Sequence, residues 1–193
     1  MEFDDSFAWL ITWTTYGSWL PGDARGHVSP VLLADGRFQA RTNTPGIEWA
    51  KGDERTRKRA RELQRFPSVR LGCDEALLTA ESIVEAARTR NWSVLRGAVM
   101  ATHVHVVLQD GGADKSAISR VLKGVSQARL NERFGKNPRW WTHGGSDRGL
   151  RGAQAVAAGV EYVKNQDYIL AEIIDNESRR FQQEDGVNRS GIE

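Results

Sequence analysis

The hydrophobic pattern divides the chain into four stretches that read as strands and four that read as helices. Residues 7–15, FAWLITWTT, are aromatic and β-branched, which argues for a strand. The glycine- and proline-rich YGSWLPGDARGHVSP that follows reads as loop. Residues 17–73 show no clean period. A structureless loop of that length is unusual in a compact domain, so this segment is expected to be an insertion with partial structure. A helix is expected inside it over about 53–66.

Helical spacing resumes at 73–91, where Leu77, Leu78, Ile83, Val84 and Ala87 recur on one face. Asp74 and Glu75 stand early in that stretch and Arg88 and Arg90 late, the arrangement a helix dipole favours. WSVLRGAVM (92–100) and HVHVVLQD (103–110) read as two strands joined by a short turn. Residues 115–135 carry an amphipathic stripe of Ile118, Val121, Leu122, Val125, Ala128 and Leu130. RWWTHGG (139–145) reads as a short strand ending in a turn, and 153–175 as a final helix. The order β, insertion, α, β, β, α, β, α predicts an α+β fold. Its core would be a ferredoxin-like antiparallel sheet (βαββαβ) with helices on one face. An insertion would follow the first strand and a C-terminal helix would follow the last. Residues 1–175 are expected to form one domain, and 176–193 a polar, disordered tail.

Composition adds limits. The 193 residues suffice for one domain with a sizeable core. With 39% hydrophobic and 27% charged residues the chain is an ordinary globular one, and no stretch approaches the roughly 18 apolar residues of a membrane helix. The acidic start MEFDDSFAWL lacks the basic region of a signal peptide. One cysteine, Cys73, permits no intrachain disulfide and fits a cytoplasmic location. A net charge of +2 is compatible with nucleic-acid binding without requiring it.

The chemistry begins in the 103–110 strand. Alternate residues of a strand face the same side, so His103 and His105 share one face, about 6.6 Å apart along it. Val104, Val106 and Leu108 share the other. Two imidazoles at that spacing can converge on one ion. They can equally be half-exposed residues on the open face of a sheet. A closed structural zinc site would need four ligands, and Cys73, His27 and His143 lack metal-motif spacing to the pair. On the last helix, Tyr162 and Gln166 are four apart and share a face. A phenol is a poor nucleophile at its free pKa of about 10, and a metal-polarised electrophile makes it competent. Gln166 offers a neutral carbonyl oxygen as a third ligand. The structural alternative is a tyrosine that packs its ring in the core.

Together these parts resemble a family. His-hydrophobic-His on a strand, followed by a helix carrying Tyr-Val-x-x-Gln, is similar to the single-tyrosine HUH transposases of the IS200/IS605 type. It is also similar to their REP-associated tyrosine transposase relatives. ITWTTYGSWLPGDARG (11–26) and VLRGAVMATHVHVVLQ (94–109) add to the likeness, which spans most of 7–170. The resemblance implies a ferredoxin-like fold in which His103, His105 and Gln166 hold a divalent metal, magnesium or manganese. It implies that Tyr162 attacks a phosphodiester of hairpin-containing single-stranded DNA and forms a 5′-phosphotyrosine intermediate. It implies a monomer or a homodimer, and no membrane partner.

Further DNA contacts are expected from basic and aromatic residues. Residues 51–65 hold seven Lys or Arg against three Asp or Glu. Arg55, Arg57, Lys58, Arg59, Arg61 and Arg65 there are candidates for a phosphate backbone, or for a solvated helix face. Arg120, Lys123 and Arg129 border the 115–135 stripe and carry the same two readings. Trp140 or Trp141 offers a base-stacking face. Two other functions compete: a ferredoxin-like module that binds hairpin DNA or RNA without cutting it, and a small hydrolase in which the two histidines activate water. A tyrosine nucleophile separates the first reading from both.

Overall fold

The computed structural model describes residues 6–25, 31–32, 36–39, 52–109, 112, 115–137 and 139–181. Strand β1 (Phe7–Thr14) leads into the insertion, which holds the short hairpin β2 (Val31–Leu32) and β3 (Phe38–Gln39) and helix α1 (Glu54–Glu62). Helix α2 (Cys73–Thr89), strands β4 (Ser93–Met100) and β5 (His103–Gln109) and helix α3 (Lys115–Phe134) follow. Strand β6 (Ser146–Arg151), helix α4 (Ala153–Lys164) and strands β7 (Ile169–Ile174) and β8 (Glu177–Arg180) come last among the described residues. No helix among the described residues is long and apolar enough to cross a membrane.

Six strands form one antiparallel sheet in the order β6-β1-β5-β4-β7-β8. Within it β1-α2-β4-β5-α3-β6 is the expected βαββαβ unit, and β7 and β8 extend the sheet beyond β4. Strand alternation sorts the side chains. Ile11 and Trp13 of β1 and Val104, Val106 and Leu108 of β5 face α2 and α3, where they pack with Ile83, Ile118, Leu122 and Leu130. Burial of such side chains is worth about 1.5–3 kcal/mol each, so this layer carries most of the fold's stability. The C-terminal helix α4 takes the opposite face. Its Val156 and Val163 pack with Ala8, Ala98, Met100, Val107, Leu150 and Ile169.

Three expectations need correction. The helix expected over 153–175 stops at Lys164, and 169–174 is strand β7. ILAEII has the apolar content of either element, but the open edge of β4 needs hydrogen-bond partners, and pairing there overrides helical propensity. The tail expected to be disordered from 176 begins as β8, whose polar residues are held by ion pairs. Arg179 Nε lies 2.8 Å from Glu172 Oε1, and Arg180 pairs with Asp74 on α2. Arg96 of β4 completes this link by pairing with the same Glu172, both being almost fully buried. Residues 182–193 lie outside the described residues. Finally, 139–145 forms only a single bridge, Trp141 to Thr15. The strand lies one step later, in the polar SDRGLR of β6, an edge strand with one side in water.

The insertion is stitched to the same end of the sheet. Val69 N donates to Tyr16 O (2.8 Å), Leu71 N to Ala101 O (2.8 Å) and Thr15 Oγ1 to Val69 O (2.7 Å). Helix α1 starts at Asp53, whose carboxylate accepts from Arg55 N and Thr56 N, both at 3.1 Å. Gly22 lies against this start with φ +83°, and a Cβ there would stand 2.4 Å from Asp53 O. Only glycine fits, which accounts for the Pro-Gly-Asp of the loop.

Candidate functional site

The site forms where β1 and β4 end and β5 and β7 begin. Register sets His105 opposite Thr12 and His103 opposite Thr14. Alternation turns both imidazoles to the α4 face, in line with Val107, while Val104, Val106 and Leu108 anchor the strand in the main core. The ring centroids of His103 and His105 are 5.0 Å apart and nearly perpendicular, at 87°. Tyr162, on the last turn of α4, brings its ring to 5.4 Å from His105, edge to face at 81°. Tyr162 is 49% exposed, so its ring is not a core filler. Its neighbour Val163 is fully buried and holds the helix to the sheet.

Each imidazole is oriented by a threonine. Thr12 Oγ1 and His105 Nδ1 share a hydrogen bond of 2.7 Å, and Thr102 Oγ1 and His103 Nδ1 one of 3.0 Å. That leaves Nε2 of each ring outside any hydrogen bond among the described residues. Burial disfavours the charged imidazole, and His105 is pushed down to about 4 by burial and then by the neighbouring His103. His103 is lowered by burial and then by the charge of Arg25. Both rings are therefore neutral at neutral pH, the form that can donate a lone pair to a metal.

Gln166 lies past the helix cap Asn165, and its Nε2 donates to Tyr162 O at 3.0 Å. This leaves Oε1 as its remaining polar atom. No hydrogen bond joins it to either imidazole among the described residues. Nor is there any group of three or more His, Cys, Asp or Glu among those residues that could hold an ion. The donors that the structure brings together are thus the two neutral imidazoles, and nitrogen donors of that kind suit manganese better than magnesium.

Residues that the sequence pattern does not single out surround this set. Thr12 lies 93 positions from its histidine, and only the β1–β5 register reveals it. Thr102 directly precedes His103 and is open to view in the sequence. The loop after β1 reaches the site as well. Ser18 Oγ donates to Thr102 O (3.1 Å), and Arg25 Nη2 donates to Ser18 O (3.1 Å). Asp23 grips Arg25 through two oxygens, at 2.8 and 2.9 Å, and the guanidinium lies 4.7 Å from the Trp19 ring centre.

The expected DNA contacts divide. Arg55, Lys58, Arg59 and Arg61 are exposed on α1, Arg65 is exposed just beyond it, and Arg57 pairs with Glu54 at 3.3 Å. Arg120 is exposed on α3, and Arg129 pairs with Glu85. Lys123 does not face solvent as a free cation, because its Nζ donates to Thr142 O (2.6 Å) and Gly144 O (2.7 Å) and so pins the 142–144 loop. Trp140 is 7% exposed and its Nε1 donates to Asn131 Oδ1 at 2.8 Å. Trp141 is buried beside Trp13. Neither offers a ring face to a base, because both ends of the bridge segment are drawn into the core between β1 and α3.

No family model and no curated protein matches the chain. One solved structure to which it is similar is described as a REP-associated tyrosine transposase bound to a REP hairpin. The identity is 12% and the TM-score 0.41, over 84% of this chain and 67% of that one.

Proposed function

We propose that the protein cleaves and rejoins single-stranded DNA, with Tyr162 as the nucleophile and His103, His105 and Gln166 as the residues that hold a divalent metal. The observation that carries this reading is the meeting of three side chains from two elements far apart in the chain, β5 and α4. Two neutral imidazoles, each fixed by a threonine, lie side by side, and one of them, His105, lies against a half-exposed phenol delivered by a separate helix. A buried histidine pair needs no such phenol, and a core tyrosine would not stand half in water. A hydrolase that activates water lacks a carboxylate base beside the pair, since no acidic cluster joins it among the described residues.

When bound, a divalent ion supplies charge neutralisation at the phosphate oxygens. The chain supplies the rest. Tyr162 Oη attacks phosphorus, the bond from phosphorus to the 3′ oxygen breaks, and the 3′ oxygen leaves as a hydroxyl. The phenolic proton passes to solvent, to which the ring is open, and the departing 3′ oxygen takes a proton from solvent. The 5′ phosphate remains esterified to Tyr162, and attack by another 3′-hydroxyl reverses the step, so that no ATP is consumed. The exposed cations of α1 provide sequence-independent contacts to the strand.

The test is a denaturing gel after incubation with manganese and labelled hairpin DNA from the flanks of the gene. A covalent protein–DNA adduct is expected, absent from Tyr162→Phe and from His103→Ala. Tight binding without any adduct across hairpins and metals would instead identify a binding module.

A further inference from the structure

Tyr168 lies in the turn between α4 and β7. It is 91% exposed, so packing does not account for it. Its φ is +56°, in the left-handed region that a bulky side chain rarely adopts. The other non-glycine residues with positive φ among the described residues are Asn91, Asp175 and Asn176. Those types tolerate the region because their short polar side chains bond locally. Tyr168 has no such means.

The chain is anchored on both sides of it. The Gln166 side chain is tied back to Tyr162 O, and Ile169 is buried and paired with Met100 at the end of β4. From Met100 only Ala101 and Thr102 intervene before His103. The ring of Tyr168 is therefore held out in solvent at the sheet end that carries the imidazoles, six residues beyond the nucleophile. A strained aromatic that contributes nothing to the core, placed at a functional edge, indicates a role in binding.

We infer that Tyr168 stacks on a base of the single-stranded DNA, flanking the phosphate presented to Tyr162. Every base has a π face, so such a contact takes any sequence and holds the strand in place without reading it. It fills the role that the buried Trp140 and Trp141 cannot. The inference rests on the reading of the site as one for single-stranded DNA.

The experiment compares wild type with Tyr168→Phe, Tyr168→Ala and Tyr168→Gly. Binding is read by anisotropy of a fluorescein-labelled hairpin oligonucleotide with single-stranded flanks, adduct formation by gel, and stability by thermal unfolding. Tyr168→Phe keeps the ring and is expected to retain affinity. Tyr168→Ala and Tyr168→Gly are expected to weaken binding by about 5- to 100-fold, the scale of one base–aromatic stack. Tyr168→Gly is also expected to raise the melting temperature, because glycine adopts this φ freely. Weaker binding by a more stable protein excludes misfolding as the cause. Unchanged affinity in Tyr168→Ala, or an equal loss in Tyr168→Phe, overturns the inference, as does loss of the adduct in Tyr168→Phe. If wild type forms the adduct and Tyr168→Ala matches it in affinity, only the stacking role fails. If wild type neither binds nor forms an adduct, the DNA reading itself fails, and the stacking role with it.

Discussion

Gly159 sets how closely α4, the helix that carries Tyr162, approaches the sheet. A Cβ at this position would stand 2.5 Å from Leu150 Cδ1, with Leu150 Cγ and Cδ2 at 3.6 and 3.7 Å. Carbon atoms prefer about 3.5–4.0 Å, so Gly159→Ala must move α4 or Leu150 by about 1 Å. Leu150 is 5% exposed within the layer under α4, which leaves its side chain little room to turn. Overpacking of this kind costs about 1–3 kcal/mol, offset by about 1 kcal/mol from replacing a helical glycine. The net destabilisation is therefore about 0–2 kcal/mol, a fall of at most several degrees in melting temperature. The effect on chemistry is larger. Tyr162 lies one turn further along the same helix, and a displacement of about 1 Å at a reacting group can lower a rate by about 100-fold. Single-turnover adduct formation, with unfolding followed in parallel, measures both. Leu150→Ala in the Gly159→Ala background frees the space and should recover much of the rate. An adduct rate equal to wild type in Gly159→Ala would refute the view that this contact seats Tyr162, and so would a double variant no faster than the single one.

Three further outcomes are expected. In chelator-treated protein, His105 titrates at about 4 when folded, against about 6.5 when unfolded. The unfolded chain then binds more protons between these values, so stability is full above pH 6.5 and falls by about 3 kcal/mol as pH drops to 4. Denaturant unfolding at pH 7 and 4.5 should show most of that loss in wild type and less in His105→Gln, and equal losses in the two would exclude the assignment. Lys123→Met should destabilise the protein by about 1–3 kcal/mol by freeing the 142–144 loop, yet leave the salt dependence of single-stranded DNA binding unchanged. Neutralising Arg55, Lys58, Arg59 and Arg61 should do the reverse, lowering the salt slope by about 0.7 for each phosphate whose charge is no longer matched.

What can be read from the sequence is what local period determines. Alternation in HVHVVLQ places Val104, Val106 and Leu108 in the core and both histidines on the opposite face, and the βαββαβ order follows from element types alone. What escapes depends on partners far along the chain. ILAEII becomes a strand because β4 has an open edge. Thr12 orients His105 only through a register that joins residues 93 apart. Trp140 and Lys123 look like surface ligands because nothing in their neighbourhoods reveals Asn131 or the carbonyls of Thr142 and Gly144. The loop holding Arg25 reads as a turn, and its link to Thr102 emerges only once β1 and β5 are paired.

Helix α4 starts beside β6 at one edge of the sheet, passes over β1 and β5, and delivers its chain to β7 beyond β4. It is a strap fastened at both ends. Tyr162 meets His105 of its own chain, and lending the helix to a second copy would mean stripping β7 and β8 from the sheet as well. On the reading proposed above, a severed 5′ end would stay moored above β5 of the subunit that cut it. The travelling party in any exchange would then be the free 3′ end, and the length of DNA between two cleavage points, more than any swing of the protein, would govern which ends are joined.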